Sequence, residues 1–184
     1  FLGGAYKPFD PSNKDNLTPR IDISRFRDRK NLLRALDQIG KVPSPQAKSF
    51  TDIGNQAYDV ILGNAKDAFN LDKEPDAIKE KYGKKGIGEQ LLLARRLAQF
   101  GTKFITVNYG GWDMHSDVKA GLDKKVPPLD KAISAFIDDI YESGLSENIL
   151  LVVTGEFGRT KLNKKAGRDH WPSIIPMLLS GGRY

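Results

Sequence analysis

The chain has only two histidines, His115 and His170, and only two tryptophans, Trp112 and Trp171. All four fall in two short polar stretches, Trp112-Asp113-Met114-His115 and Arg168-Asp169-His170-Trp171. Imidazoles and carboxylates bind divalent ions and move protons near neutral pH. Asp113 and His115 are two positions apart, so on an extended backbone their side chains leave on the same side, as two ligands of one ion must. A plainer alternative is a turn-capping aspartate beside a surface histidine. Asp169 adjoins His170, where a carboxylate can orient an imidazole from behind, a common arrangement around bound metals. Imidazole with carboxylate suits zinc, manganese or iron, whereas calcium and magnesium prefer more oxygen ligands.

Glu156 follows the apolar run of residues 149–153 and a Thr-Gly pair. A charged group there faces a crevice rather than the core, as a metal ligand or general base. The alternative is a glutamate that caps the next turn or pairs with Arg159. Arg159, Lys161, Lys164, Lys165 and Arg168 crowd into ten positions. Such a loop suits phosphate, sulfate or carboxylate, with arginine able to bind two oxygens at once. No Walker loop, dinucleotide glycine fingerprint, Gly-x-Ser-x-Gly elbow or His-Glu-x-x-His helix is present. Gly83-Lys84-Lys85-Gly86-Ile87-Gly88 lacks the strand and Lys-Ser/Thr of a phosphate loop and reads as a turn that starts a helix.

These groups need elements to position them. Residues 1–20, with three prolines and little periodicity, read as an extended arm. Residues 21–100 read as mainly helical, with helices over 24–39, 50–64, 75–82 and 88–100, the last closed by Gly101 at C′. Residues 103–108 are a β-branched, aromatic run. A long helix then carries Leu129, Ile133, Phe136, Ile137 and Ile140 on one stripe, and 149–154 is a second apolar run. Strand, helix and strand predict a β-α-β unit over 101–184, with parallel strands and a right-handed crossover, and 174–179 offers a third strand. Ligands of open α/β sheets bind beyond the carboxyl ends of the strands. Asp113, His115 and Glu156 would meet there.

At 184 residues the chain fits a single domain, 1–184. Its longest apolar runs are far below the roughly 18 residues of a membrane span. The absence of cysteine excludes disulfides and thiolate chemistry. The net charge of +6 favours anionic partners, although most basic residues alternate with acids. Nucleic acid is not an expected partner, since only the loop 159–168 approaches a clustered basic face.

Three stretches, Gly110-Gly111-Trp112-Asp113-Met114-His115, Thr154-Gly155-Glu156-Phe157-Gly158-Arg159-Thr160 and Ala166-Gly167-Arg168-Asp169-His170-Trp171-Pro172, resemble the bacterial family known as domain of unknown function 1501. So do Phe1-Leu2-Gly3-Gly4-Ala5-Tyr6-Lys7-Pro8-Phe9 and Leu92-Leu93-Ala94-Arg95-Arg96-Leu97, so the resemblance covers essentially the whole chain. It implies an alkaline-phosphatase-like α/β fold, three-layer α/β/α with a mainly parallel sheet. It also implies metal-assisted hydrolysis of phosphate or sulfate esters, as in sulfatases. Asp113, His115, Glu156 and His170 then look like ligands of a divalent metal ion, zinc, manganese or calcium. Arg159 would steady the anionic ester, and Asp169 would orient His170. Glu156-Phe157 stands where relatives carry Asp-His, and Thr160 is followed by Lys161 rather than proline.

The same resemblance places the nucleophile and a first ligand upstream of Phe1, in a longer, exported protein of which this chain is the C-terminal portion. The expected partner is an anionic small-molecule or polysaccharide ester. The rival expectation is a non-catalytic binding protein for an anionic polysaccharide or other surface polymer.

Overall fold

Glycine and proline set the limits of two of the helices. The computed structural model describes residues 65–183 and, before them, Asp22, Ser24, Arg25, residues 27–29, Asn31, Leu32 and Ala35. The chain divides into two compact units, Phe1–Asn70 and Leu71–Tyr184. In the first, the described residues from Ser24 to Ala35 are helical, and the Asp22 carboxylate accepts the backbone N–H of Ser24 at 2.8 Å. Helix α1, Ala65–Ala68, closes its described part. The expected arm 1–20 and helix 50–64 lie outside the described residues.

The second unit is built on three helices, α2 (Asp76–Tyr82), α3 (Ile87–Gln99) and α4 (Val118–Glu142). Pro75 precedes α2, where its missing N–H costs nothing. Gly83 and Gly86 adopt φ of 96° and 65° and turn the chain into α3. Gly88 has no room for a side chain, because a Cβ there would strike the carbonyls of Tyr82 and Gly83. Helix α3 ends as expected: Gly101 has φ 94°, its N–H reaches the Ala98 carbonyl at 2.9 Å, and Thr102 N–H reaches that of Leu97 at 3.0 Å. These two bonds satisfy carbonyls that the last helical turn would leave open.

Tyr82, Ile87, Leu91 and Leu92 meet Ala132, Ala135, Phe136, Ile140 and Ile149 in the core, with Leu129 and Ile133 packed alongside. Within this apolar packing lie Arg95, Arg96 and Asp139, each only 6% exposed. Arg95 Nη2 donates to Glu74 at 2.6 Å, and Arg96 also holds Glu74. Tyr82 donates its hydroxyl to Asp139 at 2.8 Å, and Ser143 donates to the same carboxylate at 3.1 Å. Arg95 Nε lies 2.8 Å from Asp139, an ion pair without the alignment of a hydrogen bond. Burial pushes the Glu74 carboxyl up, but hydrogen bonds from and charges of Arg95 and Arg96 outweigh it and hold the group below its ordinary value. Burial, then the bond to Asp139, pushes the Tyr82 hydroxyl well up.

The strands correct the sequence reading. The chain is a mixture of helix and strand, but its sheets are small and antiparallel. Strand β1 (Leu150–Thr154) pairs antiparallel with β4 (Met177–Gly181), Leu150 opposite Gly181 and Thr154 opposite Met177. Between them β2 (Gly158–Leu162) and β3 (Arg168–Trp171) form a hairpin of their own. A parallel return needs a crossover of a dozen or more residues, usually a helix, whereas the hairpin lets the chain fold back beside β1. The expected strand at 174–179 starts only after Pro176, whose ring restricts the residue before it and removes a ladder donor.

Residues 103–108 form no ladder among the described residues, so the expected parallel β-α-β unit is not built here. Their side chains still alternate, Ile105, Val107 and Tyr109 half-buried and Phe104, Thr106 and Asn108 exposed. Val107 and Tyr109 pack on the helical core. The β-branched, aromatic run was expected to be a strand; a strand also needs a partner, and the ladders that form here join other segments. No helix among the described residues is long and apolar enough to cross a membrane.

Candidate metal centre

The segment after Tyr109 is pinned to α4 before it reaches the site. Lys125, on α4, donates to the Gly110 carbonyl at 2.8 Å and stands 4.9 Å from the Tyr109 ring centre and 5.5 Å from that of Trp112. Trp112 meets Tyr109 edge-on, with ring centres 5.6 Å apart, and donates its indole N–H to the Tyr109 carbonyl. Met114 lies against Gly121 of α4, where a Cβ would strike its sulfur. With Trp112 and Met114 half-buried, Asp113 and His115, which alternate with them, are exposed together, as their spacing predicts. Asp117 then caps α4 by accepting the Ala120 N–H at 3.3 Å.

The hairpin docks on this segment through backbone bonds. Arg168 N–H donates to the Met114 carbonyl at 3.0 Å, Asp117 N–H to Lys165 at 3.1 Å and Val118 N–H to Ala166 at 2.9 Å. Gly167 is the point of closest approach: a Cβ there would collide with the His115 carbonyl group and Ser116 nitrogen. Asn163 shapes the hairpin turn, its side-chain oxygen accepting the N–H groups of Lys165 at 2.9 Å and Gly167 at 3.0 Å. Its amide donates to the His115 carbonyl at 3.1 Å and to Asp169 at 3.2 Å. Within the hairpin Arg159 stands directly opposite His170.

The result is a convergence on one atom. Asp113 Oδ1 lies 2.8 Å from Arg159 Nη1, 2.9 Å from His170 Nε2 and 3.0 Å from His115 Nε2. The Asp113 side chain is 62% exposed, and those of His115 and His170 are 48% and 47%. Hydrogen bonds from His170 and then Arg159 hold the Asp113 carboxyl down to about 2. Asp169 sits behind His115, its Oδ1 3.0 Å from Nδ1, and His115, then Asn163, keeps its carboxyl below the ordinary value. The His170 ring stacks on Phe157 with centres 4.3 Å apart, and the Arg159 guanidinium lies 5.3 Å from the same ring.

Asp113, His115 and His170 each present one ligand atom, and these atoms all lie within 4.8 Å of one another. Both imidazoles turn Nε2 toward Asp113, and His115 turns Nδ1 toward Asp169. A cation held at the two Nε2 atoms would leave Nδ1 of His115 to donate to Asp169, the arrangement that fixes a ligating imidazole. Two imidazoles and one carboxylate fit zinc or manganese better than calcium, which wants more oxygen ligands.

Four of the sequence-derived residues are brought together, Asp113, His115, His170 and Arg159, the last against Asp113 rather than Glu156. Asp169 is present but serves His115, not His170 as expected; adjacent strand residues point to opposite faces, so Asp169 turns away from its neighbour. Glu156 is exposed after the end of β1 and outside the group that shares the convergence. Neither tryptophan faces the ligands: Trp112 anchors its loop and Trp171 lies opposite Gly158. Asn163, Gly167, Phe157 and Lys125 were missed. The Asn-Lys-Lys-Ala-Gly run carried a turn signal for the first two. The other two act through partners far along the chain.

The cavity lined by Tyr141, Glu147 and Leu179 contains none of these residues. The family model described as Protein of unknown function (DUF1501) matches the chain over residues 1–184. No curated protein and no solved structure matches it.

Proposed function

The chain belongs to the DUF1501 family, and we propose that it carries the metal centre of a hydrolase acting on phosphate or sulfate esters. The supporting observation is the convergence of His115 Nε2 and His170 Nε2 on the Asp113 carboxylate, with Asp169 fixing the first imidazole from behind. Asp113, His115 and His170 hold the divalent ion in this reading. Such an ion supplies Lewis acidity toward a phosphoryl or sulfuryl oxygen. Glu156 has no ligand role in it.

The chain's own groups supply the anion selectivity. Arg159 approaches the ligands from within the hairpin, and Lys161, Lys164, Lys165 and Arg168 stand exposed in the same hairpin without a carboxylate partner among the described residues. Oxyanions have both charge and paired acceptors to offer such a surface. The three-layer, mainly parallel architecture belongs to the same proposal. It is supported by the unpaired segment 103–109 and by the apolar face of Leu150, Val152, Met177 and Leu179, about half exposed on β1 and β4.

The test is zinc or manganese content after dialysis, measured on the chain and on a His115→Ala, His170→Ala double variant. About one ion per chain is expected, with at least a 100-fold loss of affinity in the variant, in line with the loss of two ligands. Equal metal content in the two would reject the centre. The second reading, an anionic-polymer binder, rests on the lysines alone; it predicts sulfated-polysaccharide binding that survives a chelator.

A further inference from the structure

A carboxylate oxygen offers two lone pairs, yet Asp113 Oδ1 has three nitrogens within 3.0 Å. The two imidazoles are potential ligands. The third group, the Arg159 guanidinium, is not: it has no lone pair to give, stays charged at any ordinary pH and can only act as a counter-cation. An ion bound by Asp113 and the imidazoles sits about 2.0–2.2 Å from their donor atoms. A guanidinium nitrogen 2.8 Å from the same oxygen would hold a lone pair the ion needs and face it with like charge.

Arg159 has somewhere to go. Its Nη1 also reaches the Arg168 carbonyl at 3.3 Å, and its guanidinium is within 5.3 Å of the Phe157 ring, so a small rotation keeps a polar and an aromatic contact. Resting on the proposed metal centre, we infer that Arg159 is an exchangeable cap on Asp113: a divalent ion displaces its guanidinium, which then binds two oxygens of the incoming phosphate or sulfate group. Metal and anion sites are thereby linked through one side chain. Without the ion the arginine is occupied by Asp113; with it, the fork is free beside the ion.

The exchange makes a prediction opposite to that of a merely positioning arginine. Zn2+ alone is titrated into the metal-stripped full chain in competition with a chromophoric chelator, for wild type, Arg159→Gln, Arg159→Lys and Asp113→Asn. Arg159→Gln is expected to bind Zn2+ about three- to fivefold more tightly than wild type, the scale of a released exposed ion pair. Arg159→Lys is expected to stay near wild type. Inorganic phosphate should bind the zinc-loaded Arg159→Gln protein about fivefold more weakly than zinc-loaded wild type, the size of one charge-assisted contact.

Unchanged or weaker Zn2+ binding in Arg159→Gln overturns the exchange while leaving the metal centre standing, and equal phosphate affinity overturns the anion half. Wild type binding no more tightly than Asp113→Asn overturns the metal centre itself and the exchange with it. Circular dichroism confirms that each variant is folded.

Discussion

The second unit holds two groups of charged side chains with opposite character. Under α2, α3 and α4, Arg95 and Arg96 are matched by Glu74 and Asp139, and Arg95, Arg96 and Asp139 are almost wholly buried. At the hairpin, three nitrogen-bearing groups crowd one carboxylate oxygen in the open. Two cations against two anions is what burial demands, because an unpaired charge in the core costs several kcal/mol. The hairpin group is under no such demand, and its arrangement does little for the fold. The difference separates charges that hold the protein together from charges poised for something not yet bound.

Removing Asp139 breaks the comparison most sharply. Asp139→Ala leaves Arg95 buried beside a lost partner and is expected to lower unfolding stability by about 3–5 kcal/mol in urea denaturation. Asp113→Asn, by contrast, should stay within about 0.5 kcal/mol of wild type while losing zinc binding, as exposed substitutions do. A Tm lowered as much by Asp113→Asn as by Asp139→Ala would erase the distinction.

Gly167→Val lies between the two. Its side chain would push the hairpin off His115, with an expected loss of about 1–3 kcal/mol from overpacking. The informative result is the pairing of that modest loss with abolished zinc binding. Retention of wild-type zinc affinity would show that the hairpin does not set the ligand geometry.

The smallest effect is in acid. Glu74 is held below its ordinary value in the folded chain, so its contribution is fully present above the unfolded value of 4.5 and disappears as pH falls through the folded one. Tm measured from pH 6 to 3 should therefore decline below about pH 4.5. The decline should be shallower in Glu74→Gln, although that variant starts lower. Parallel curves would mean that Glu74 is not held down by its arginines.

How much of this the sequence revealed follows the range of the interactions. The end of α3 at Gly101 depends on six neighbouring residues and was legible. So was the shared direction of Asp113 and His115, which needs only period-two geometry. The buried pairing of Arg95 with Glu74 and Asp139 was not, since Arg-Arg in a helix looks the same whether or not a distant acid covers it. Asp169 was given to His170 because adjacency suggested it; the hairpin instead brought it to a histidine 54 positions away. Residues 103–108 carried a strand-like composition, but nothing local states which strand, if any, will pair with them.

That 54-residue span also bears on the order of events in folding. Helices α2 and α3 lie close in sequence, whereas the Asp113–His170 contact spans 57 residues that include α4, β1 and β2, and contacts of long separation form late. Stopped-flow refolding in the presence of a chromophoric zinc indicator would then show helical signal rising before the indicator responds. The metal-binding geometry would be a clock hand for the final docking step, reading native assembly rather than collapse.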